Sequence, residues 1–275
     1  MKNIVILENK LDWLKKFLQW IPEDHINNYN FVIDDRKNKE MFDVIENILD
    51  NQNKIKFRIN KVSNILDFYF HHFYFSNESE DFALNCSYPI KLFVMCRYAH
   101  FSDVLYLDDD CLIIRDINEI FDNYKNSAIK ISAGFSGCHI KDDDFIKCIS
   151  DSVEYDIDLE TFNSHTINGG IIALSCNPIL VKYVYNYFSN DYIINRWKNK
   201  KLAMIDEKLI AAILIKSEAN YFKTEHARLL SISEKYKSNL YKVPCIIHSY
   251  KKNSINFIDN FFYDKDKNRI NYIGK

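Results

Sequence analysis

The chain has 275 residues, a formal net charge of −2, and a composition that is 47% hydrophobic and 15% aromatic. This length suits one large domain or two small ones, and a charge so close to neutral excludes a strong electrostatic attraction to nucleic acid. Five glycines and four prolines argue against repeats, collagen-like segments and long disordered linkers.

Apolar periodicity predicts strands that alternate with helices along the chain. In chain order they are strand Ile4–Leu7, helix Leu11–Trp20, strand Phe31–Ile33, helix Met41–Leu49, helix Pro89–Tyr98, strand Val104–Leu107, strand Cys111–Ile114, helix Ile117–Phe121, strand Ile131–Phe135, strand Ile167–Leu174, a helix from Asn177 to Phe188, helix Asp206–Lys216 and strand Val243–His248. This order predicts an α/β fold with a mixed, mostly parallel central sheet flanked by helices. We expect a single domain over residues 1–250 and an aromatic and basic tail over 251–275.

Two segments carry chemically suggestive residues but weaker patterns. The polar stretch Lys141–Ser152 predicts a loop with a short helix, so its acidic triplet Asp142–Asp144 is interpreted as solvated. The aromatic-rich segment Ile55–Phe82 has no clear periodicity, and its pair His71-His72 is expected to pack against rings rather than to bind a metal.

Three adjacent carboxylates, Asp108, Asp109 and Asp110, lie between two apolar runs. Like charges at the end of a strand repel one another and are costly to desolvate unless a cation or hydrogen-bond donors compensate. In continued strand geometry Asp108 and Asp110 share one face and Asp109 takes the other. Such a pair can hold a hard divalent cation that keeps positions open for phosphate oxygens, which predicts a diphosphate site. The alternative is a solvated turn between two strands.

Four further positions strengthen the first interpretation. The run YLDDD that ends at Asp110 resembles the D-x-D segment of family 8 glycosyltransferases, which include glycogenin and bacterial lipopolysaccharide galactosyl- and glucosyltransferases. The run INGGII that begins at Ile167 is similar to the F-N-A/S-G-V segment of that family, the acidic pair at Asp206 to its D-Q pair, and His248 to its late H-x-x-G-x-x-K-P-W segment. Lys91 stands where the family has Arg or Lys. The resemblance spans residues 87–252 and implies a GT-A fold and retaining sugar transfer.

The resemblance implies a metal site built from Asp108, Asp110 and His248. A mixed set of oxygen and imidazole ligands suits Mn²⁺, with Mg²⁺ as the other candidate. The cation would neutralise the nucleoside diphosphate as it leaves. From spacing alone, a histidine at the end of an apolar strand is more typical of a core or surface position.

The resemblance also implies residues that bind a UDP-sugar donor around the cation. They are Lys91, Asp108, Asp109, Gly169, Gly170, Lys251 and Lys252. The two glycines let the backbone approach a sugar closely, although a bulge before a strand would also explain them. The lysine pair is equally consistent with a solvated surface. At the position of the aromatic residue that stacks on uracil in the family, the nearest candidate here is Trp13.

Three residues are candidates for the reaction itself. The resemblance implies that Asp206 bonds hydroxyls of the donor sugar, that Glu207 lies near the anomeric carbon, and that the acceptor hydroxyl enters near Asn168. Glu207 replaces the usual Gln, and a carboxylate there could act as a nucleophile or stabilise an oxocarbenium-like centre. Without the resemblance, Asp206 and Glu207 are equally typical of acidic residues in the first turn of a helix, where they stabilise the helix N-terminus.

The expected function is transfer of a hexose to a glycan or lipid-linked acceptor in surface polysaccharide or lipopolysaccharide biosynthesis. Seven cysteines without zinc spacing, and no apolar run long enough for a membrane span or signal peptide, predict a cytoplasmic protein. The tail could touch the inner face of a membrane or dock onto the domain. The alternatives are a nucleotidyltransferase, although residues 1–20 lack the glycine that a triphosphate loop needs, and a non-catalytic glycan- or partner-binding protein.

Overall fold

The computed structural model describes most of the chain. The described residues are 2–8, 10–21, 28–36, 39–51, 56–85, 90–131, 142–199, 205–223, 227–230, 245–249, 261–264 and 269–272. The strands are β1 Lys2–Glu8, β2 Asn28–Ile33, β3 Lys56–Lys61, β4 Asp103–Asp108, β5 Cys111–Ile113, β6 Ser127–Lys130, β7 Ile167–Leu174, β8 Asn220–Tyr221, β9 Ala227–Leu230, β10 Ile246–Ser249, β11 Phe261–Asp264 and β12 Arg269–Tyr272. The helices are α1 Leu11–Trp20, α2 Lys39–Asp50, α3 Val62–His72, α4 Asn77–Asn85, α5 Ile90–Ala99, α6 Asn118–Asn123, α7 Asp143–Val153, α8 Leu159–Ser164, α9 Leu180–Phe188, α10 Asp191–Lys198 and α11 Ile205–Lys216.

A seven-stranded sheet in the order β3-β2-β1-β4-β7-β6-β8 forms the centre of the molecule. β1 to β4 pair in parallel, β7 pairs antiparallel with both β4 and β6, and β8 is parallel to β6. β7 therefore runs against the other six strands. The prediction of a mixed, mostly parallel sheet in an α/β fold is confirmed.

Each face of this sheet is covered by its own hydrophobic core because side chains alternate along the strands. In β4, Val104 and Tyr106 pack with residues of α3, α5, α7, α9 and α11, whereas Leu105 and Leu107 pack with residues of α1 and α2. The amphipathic pattern of α1 is satisfied in this way, since Leu14 and Phe17 are buried in the second core.

A smaller sheet, in the order β5-β10-β9, begins just beyond the carboxyl end of β4. β5 follows β4 after a two-residue turn, and β10 pairs with it antiparallel. β11 and β12 form an antiparallel hairpin within the predicted tail. None of the described helices is both long enough and apolar enough to cross a membrane.

Two predicted elements need correction. The strand predicted at Ile131–Phe135 lies earlier, because β6 ends at Lys130; Ile131 is outside it, and the rest of the prediction falls outside the described residues. The stretch predicted as loop and short helix forms the eleven-residue helix α7, in which Phe145 and Ile149 are buried. Its acidic start is a helix cap, since the Asp142 carboxylate accepts the Phe145 N–H, and this explains the polar beginning of an otherwise amphipathic helix.

The segment without clear periodicity, Ile55–Phe82, contains β3, α3 and the beginning of α4. The expectation for its histidine pair agrees with the geometry, because the His72 ring lies 4.3 Å from the ring of Phe68. The described cysteines, Cys96, Cys111, Cys148, Cys176 and Cys245, are all free.

Candidate active site

The site lies at the carboxyl ends of the parallel strands. β4 ends at Asp108, which is opposite Leu7 near the end of β1. β7 runs the other way, and because Leu107 pairs with Ile171, Gly170 is level with Asp108 and the preceding residues Asn168 and Gly169 extend past the end of β4. The acidic triplet and the Asn-Gly-Gly segment are therefore neighbours, although the chain separates them by more than fifty residues.

β7 is irregular where it passes the site. Ala128 of β6 is opposite Ile172, but the next residue, Ile129, is opposite Asn168. Three residues of β7 are thus left without a partner on β6. Bulges of this kind redirect side chains and are frequent beside active sites. The bulge that we considered as an alternative for Gly169 and Gly170 is present, and it is part of the site.

The small sheet delivers His248 to the triplet. β10 pairs with β5 so that His248 is opposite Cys111, the residue that follows Asp110. His248 Nε2 consequently lies 2.9 Å from Asp110 Oδ1, and both side chains are largely shielded from solvent. The structure brings together two predicted metal ligands, Asp110 and His248, that are distant in sequence.

Asn168 fixes the orientation of this ring. Its Oδ1 accepts a hydrogen bond from the Gly170 N–H at 3.1 Å and lies 2.7 Å from His248 Nδ1. Since Oδ1 can only accept, Nδ1 must carry the proton. Nε2 is then the nitrogen that faces Asp110. Gly170 packs directly beneath the ring, because a Cβ there would lie 2.5 Å from Nδ1.

Charge and burial act in opposite directions on this pair. Burial alone would lower the pKa of His248, but the close Asp110 carboxylate and the charge of Asp108 raise it above the ordinary value. Burial alone would raise the pKa of Asp110, but contact with His248 outweighs it and the pKa is lowered. These two shifts favour an ionised Asp110 carboxylate beside a protonated His248 ring in the absence of a cation.

These residues fit a divalent cation. Asp110 Oδ1 is buried, and within the described chain it accepts no hydrogen bond of good geometry. Ligand atoms of Asp110, Cys111 and His248 lie within 4.8 Å of one another. A histidine that donates Nδ1–H to an oxygen and leaves Nε2 for the metal is the usual arrangement in metal sites. Burial and nearby carboxylates raise the pKa of Cys111, whose Sγ lies 3.2 Å from Gly170 O, so its thiol stays protonated.

Asp108 is not part of that group, and the alternation expected of a continued strand does not apply. β4 ends at Asp108, and Asp109 and Asp110 form a turn. Asp108 Oδ1 accepts the Tyr106 hydroxyl at 2.8 Å, and its Oδ2 lies 3.8 Å from Lys91 Nζ. Tyr106 is fully buried. Burial is the larger cause of its raised pKa, and the Asp108 carboxylate raises that pKa further.

Asp109 lies in the same turn and forms an ion pair with Lys10 at 2.7 Å. Burial raises the pKa of Asp109 to about 6 even though Lys10 works against this. Lys10 was not singled out from the sequence, and neither was Cys111. Only the pairing of β5 with β10 reveals Cys111 as a neighbour of His248.

The acidic pair in the first turn of α11 faces the same space. Asp206 is 2% exposed and forms an ion pair with Lys91, which lies in the first turn of α5. Glu207 Oε1 accepts the Gly169 N–H at 2.9 Å. A Cβ on Gly169 would lie 2.8 Å from Lys91 Nζ and 3.0 Å from Glu207 Cγ. Lys91 therefore connects Asp108 with Asp206, and Gly169 makes room for both partners.

Two expectations about the donor pocket have different outcomes. Trp13 is 5% exposed within the second core, so it offers no free ring face for stacking on a base. Lys251 and Lys252 lie outside the described residues.

Comparison with protein-family models gives no match, and comparison with curated proteins gives none either. Solved structures do match. Mouse xyloside xylosyltransferase 1 is 12% identical over 90% of this chain and 97% of its own, with a TM-score of 0.51. The chain has the GT-A fold. The galactosyltransferase LgtC, solved with donor and acceptor sugar analogs, is 13% identical over 92% of this chain and 88% of its own, with a TM-score of 0.48. The glycosyltransferase GlyE of Streptococcus pneumoniae TIGR4 is 11% identical, over 92% and 56%, with a TM-score of 0.46.

Replacing Glu207 with Gln tests the electrostatics of the site without reference to its chemistry. Burial raises the pKa of Glu207, although Lys91 and the Gly169 N–H work against this. The folded state therefore retains a proton that the unfolded state loses above about pH 4.3. As pH rises from about 4.3 to the raised pKa, ionisation of the unfolded state's carboxyl increasingly lowers the free energy of unfolding. Below about pH 4.3 the carboxyl is protonated in both states and has no such effect. We expect Glu207→Gln to be more stable than the parent at pH 8 and to lose this advantage by pH 4.

Urea unfolding at pH 4, 6 and 8 measures the effect. Glu160→Gln, an exposed change on α8, is the matched control. A stability difference for Glu207→Gln that is the same at all three pH values would contradict the assignment.

Proposed function

We propose that the protein is a metal-dependent retaining glycosyltransferase that transfers a hexose from a UDP-sugar to a glycan or lipid-linked acceptor. The observation that carries this proposal is the convergence of Asp110 and His248, oriented by Asn168, at the carboxyl edge of a GT-A sheet. Oδ1 of Asp110 is buried, faces His248 and, among the described residues, accepts no hydrogen bond of good geometry, which supports a cation at this place rather than a purely structural ion pair. Family 8 membership is part of the proposal.

Asp110 and His248 would hold Mn²⁺ or Mg²⁺, with Asp108 at the edge of the site. When bound, the cation supplies Lewis-acid neutralisation of the departing diphosphate. Asn168 keeps the proton of His248 on Nδ1, and Gly170 allows the ring to lie against β7. Asn168 is thus a positioning residue, since it is 4% exposed and its oxygen is already engaged.

The donor sugar would lie between the Gly169 segment and the start of α11. Lys91 lies between Asp108 and Asp206, where it can exchange one carboxylate for a phosphate oxygen when the donor binds. Asp206 would then be available to sugar hydroxyls. Asp109, Gly169, Gly170, Lys251 and Lys252 complete the proposed donor site.

Glu207 is the proposed group nearest the anomeric carbon. The Gly169 N–H holds its Oε1 in place, and burial raises its pKa. In one route its carboxylate attacks the anomeric carbon as the bond to the diphosphate breaks, and the acceptor oxygen then displaces it, which gives net retention. In the other, the acceptor oxygen attacks from the face that the diphosphate leaves, and the diphosphate takes its proton while Glu207 stabilises the positive centre. Both routes yield the glycoside, UDP and one proton.

The biological setting is also proposed. A cytoplasmic enzyme of surface polysaccharide or lipopolysaccharide biosynthesis would meet a lipid-linked acceptor at the inner face of the membrane. Residues 251–275, which contain both aromatic and basic residues, are the proposed contact.

Thermal unfolding with UDP and Mn²⁺ tests the proposal directly. We expect UDP to raise the melting temperature only when Mn²⁺ is present, because binding to the folded state stabilises it by mass action. A panel of UDP-sugars with Mn²⁺ should then release UDP slowly by hydrolysis, and the best donor identifies the sugar.

Each negative result has a defined meaning. Absence of both the thermal shift and UDP release would overturn the transferase. A shift without release from any UDP-sugar would favour the non-catalytic binding protein. Release of inorganic pyrophosphate from a sugar 1-phosphate and UTP would favour the nucleotidyltransferase.

A further inference from the structure

A polar cavity separate from the candidate active site lies beside β1, β2 and β3 of the central sheet. It has a volume of about 390 Å³ and is lined by residues of β1, β2, β3, α3 and α5 and of the loop before β4. This volume falls within the range of small-ligand sites. The register sets the cavity apart from the candidate active site in two ways: Asn3 is opposite Val104, four residues before Asp108, and Asn60, which is level with Leu7 through Val32, lies on β3, three strands from β4. Four residues of strand correspond to about 13 Å.

The cavity is positively charged. Arg58 and Arg97 line it, and none of the described lining residues is a carboxylate. Within the described chain, neither guanidinium forms an ion pair. Arg97 is instead held between the rings of Phe68 and Phe101, with its Cζ 3.9 and 4.4 Å from their centroids. Such stacking fixes the plane of the guanidinium and leaves its edge N–H groups available to an anion.

The neutral groups of the cavity are amides and hydroxyls. Four asparagines contribute, among them Asn30, which is 3% exposed. Among the described residues its Nδ2 makes two hydrogen bonds, both long, 3.3 Å to Asn3 Oδ1 and 3.4 Å to Ile4 O. An amide can form four hydrogen bonds, so Asn30 is under-used for a buried side chain.

Tyr98 adds a further donor. Its hydroxyl accepts a hydrogen bond from Asn60 Nδ2, and burial raises its pKa to about 12, so the oxygen keeps its own proton. Ser102, which accepts from Asn3 at 2.6 Å, and the 64%-exposed ring of Phe101 complete the rim. The combination offers paired donors and acceptors, an apolar ring and two cations.

We propose that this cavity binds a sugar unit that carries a carboxylate or a phosphate. The two arginines would hold the acidic group, and the asparagines, Tyr98 and Ser102 would bond the ring hydroxyls. A purely inorganic anion would leave the amides unused, and a neutral sugar would leave the guanidinium charges unpaired. The site is independent of the transfer chemistry, and it could hold a remote acidic residue of a glycan.

Ligand-observed NMR titration of the full chain tests the proposal with four probes: glucuronate, glucose 6-phosphate, glucose and inorganic phosphate. We expect at least one of the first two to bind, and both glucose and phosphate to bind about tenfold more weakly. Comparison of glucuronate with glucose 6-phosphate identifies the acidic group. The proposal is overturned if no acidic sugar binds, or if glucose or phosphate binds as tightly as the better acidic sugar.

Variants test whether the probe binds in this cavity. Arg58 is exposed and forms no ion pair with the described residues, so Arg58→Gln should fold normally and weaken binding of the acidic sugar by about tenfold. Lys147→Gln, an exposed charge removal on α7, is the matched control and should leave binding unchanged. Asp110→Asn should also leave it unchanged, and Arg58→Gln should keep the UDP-dependent thermal shift of the parent, which separates this proposal from the transferase. Equal binding by Arg58→Gln and the parent would overturn it.

Discussion

Asp110→Asn should abolish Mn²⁺-dependent binding of UDP and reduce UDP-sugar hydrolysis by about 100-fold or more. The amide keeps the size of the carboxylate but removes the charge that faces His248 Nε2 at 2.9 Å. It also replaces the unbonded acceptor Oδ1 by a group that binds cations poorly. Thermal unfolding with UDP and Mn²⁺, together with released UDP, measures the two effects.

The matched control for this variant is Asp144→Asn in the other acidic triplet. Asp144 is exposed in the first turn of α7, so its loss removes an equal charge from a place without a histidine partner. Its thermal shift and hydrolysis rate should equal those of the parent. If Asp110→Asn behaved like Asp144→Asn, the proposed metal site would be wrong.

Gly170→Ala should damage both stability and activity. The added Cβ would lie 2.5 Å from His248 Nδ1 and 2.6 Å from Nε2, so the ring would have to move. The ring is held by Asn168 and closed in by β5, and overpacking of such a buried contact costs about 1–3 kcal/mol. A ring displaced from Asp110 should lower UDP-sugar hydrolysis by about as much as Asp110→Asn does. Urea unfolding and UDP release are the measurements.

Gly169→Ala provides a graded comparison at the neighbouring position. Its Cβ would meet the flexible end of Lys91 at 2.8 Å and Glu207 Cγ at 3.0 Å, and a lysine side chain can shift where a packed ring cannot. We therefore expect a smaller loss of unfolding free energy than for Gly170→Ala. A larger loss at Gly169 would contradict the view that His248 is rigidly held.

Much of the fold follows from local pattern. α1 was predicted with its observed bounds because its apolar residues recur at helical spacing, and β7 because an apolar run follows the glycine pair. The pattern is misleading at α7, where acidic residues that cap the helix resemble a solvated loop. It also fails at β6, since two apolar residues in a four-residue strand carry too little signal.

The sequence nominates several residues that meet in the candidate site, but it gives neither Lys10 nor Cys111 and not the geometry. Spacing cannot show that β4 ends at Asp108, so the expected shared face of Asp108 and Asp110 rested on a strand that does not continue. Nor can it show that β10 pairs with β5, which alone brings His248 to Asp110. The part of Asn168 in fixing that histidine likewise depends on long-range pairing.

The pairing of β5 with β10 also bears on the order in which the molecule matures. The two strands are about half of the chain apart, so their association closes a long loop and carries a large entropic cost. Pairings that close long loops form slowly, because the entropic cost precedes the gain in contacts. Asp110 gains its histidine only when this loop closes, so the capacity to retain the proposed metal ion would depend on the completed fold and not on the acidic turn alone.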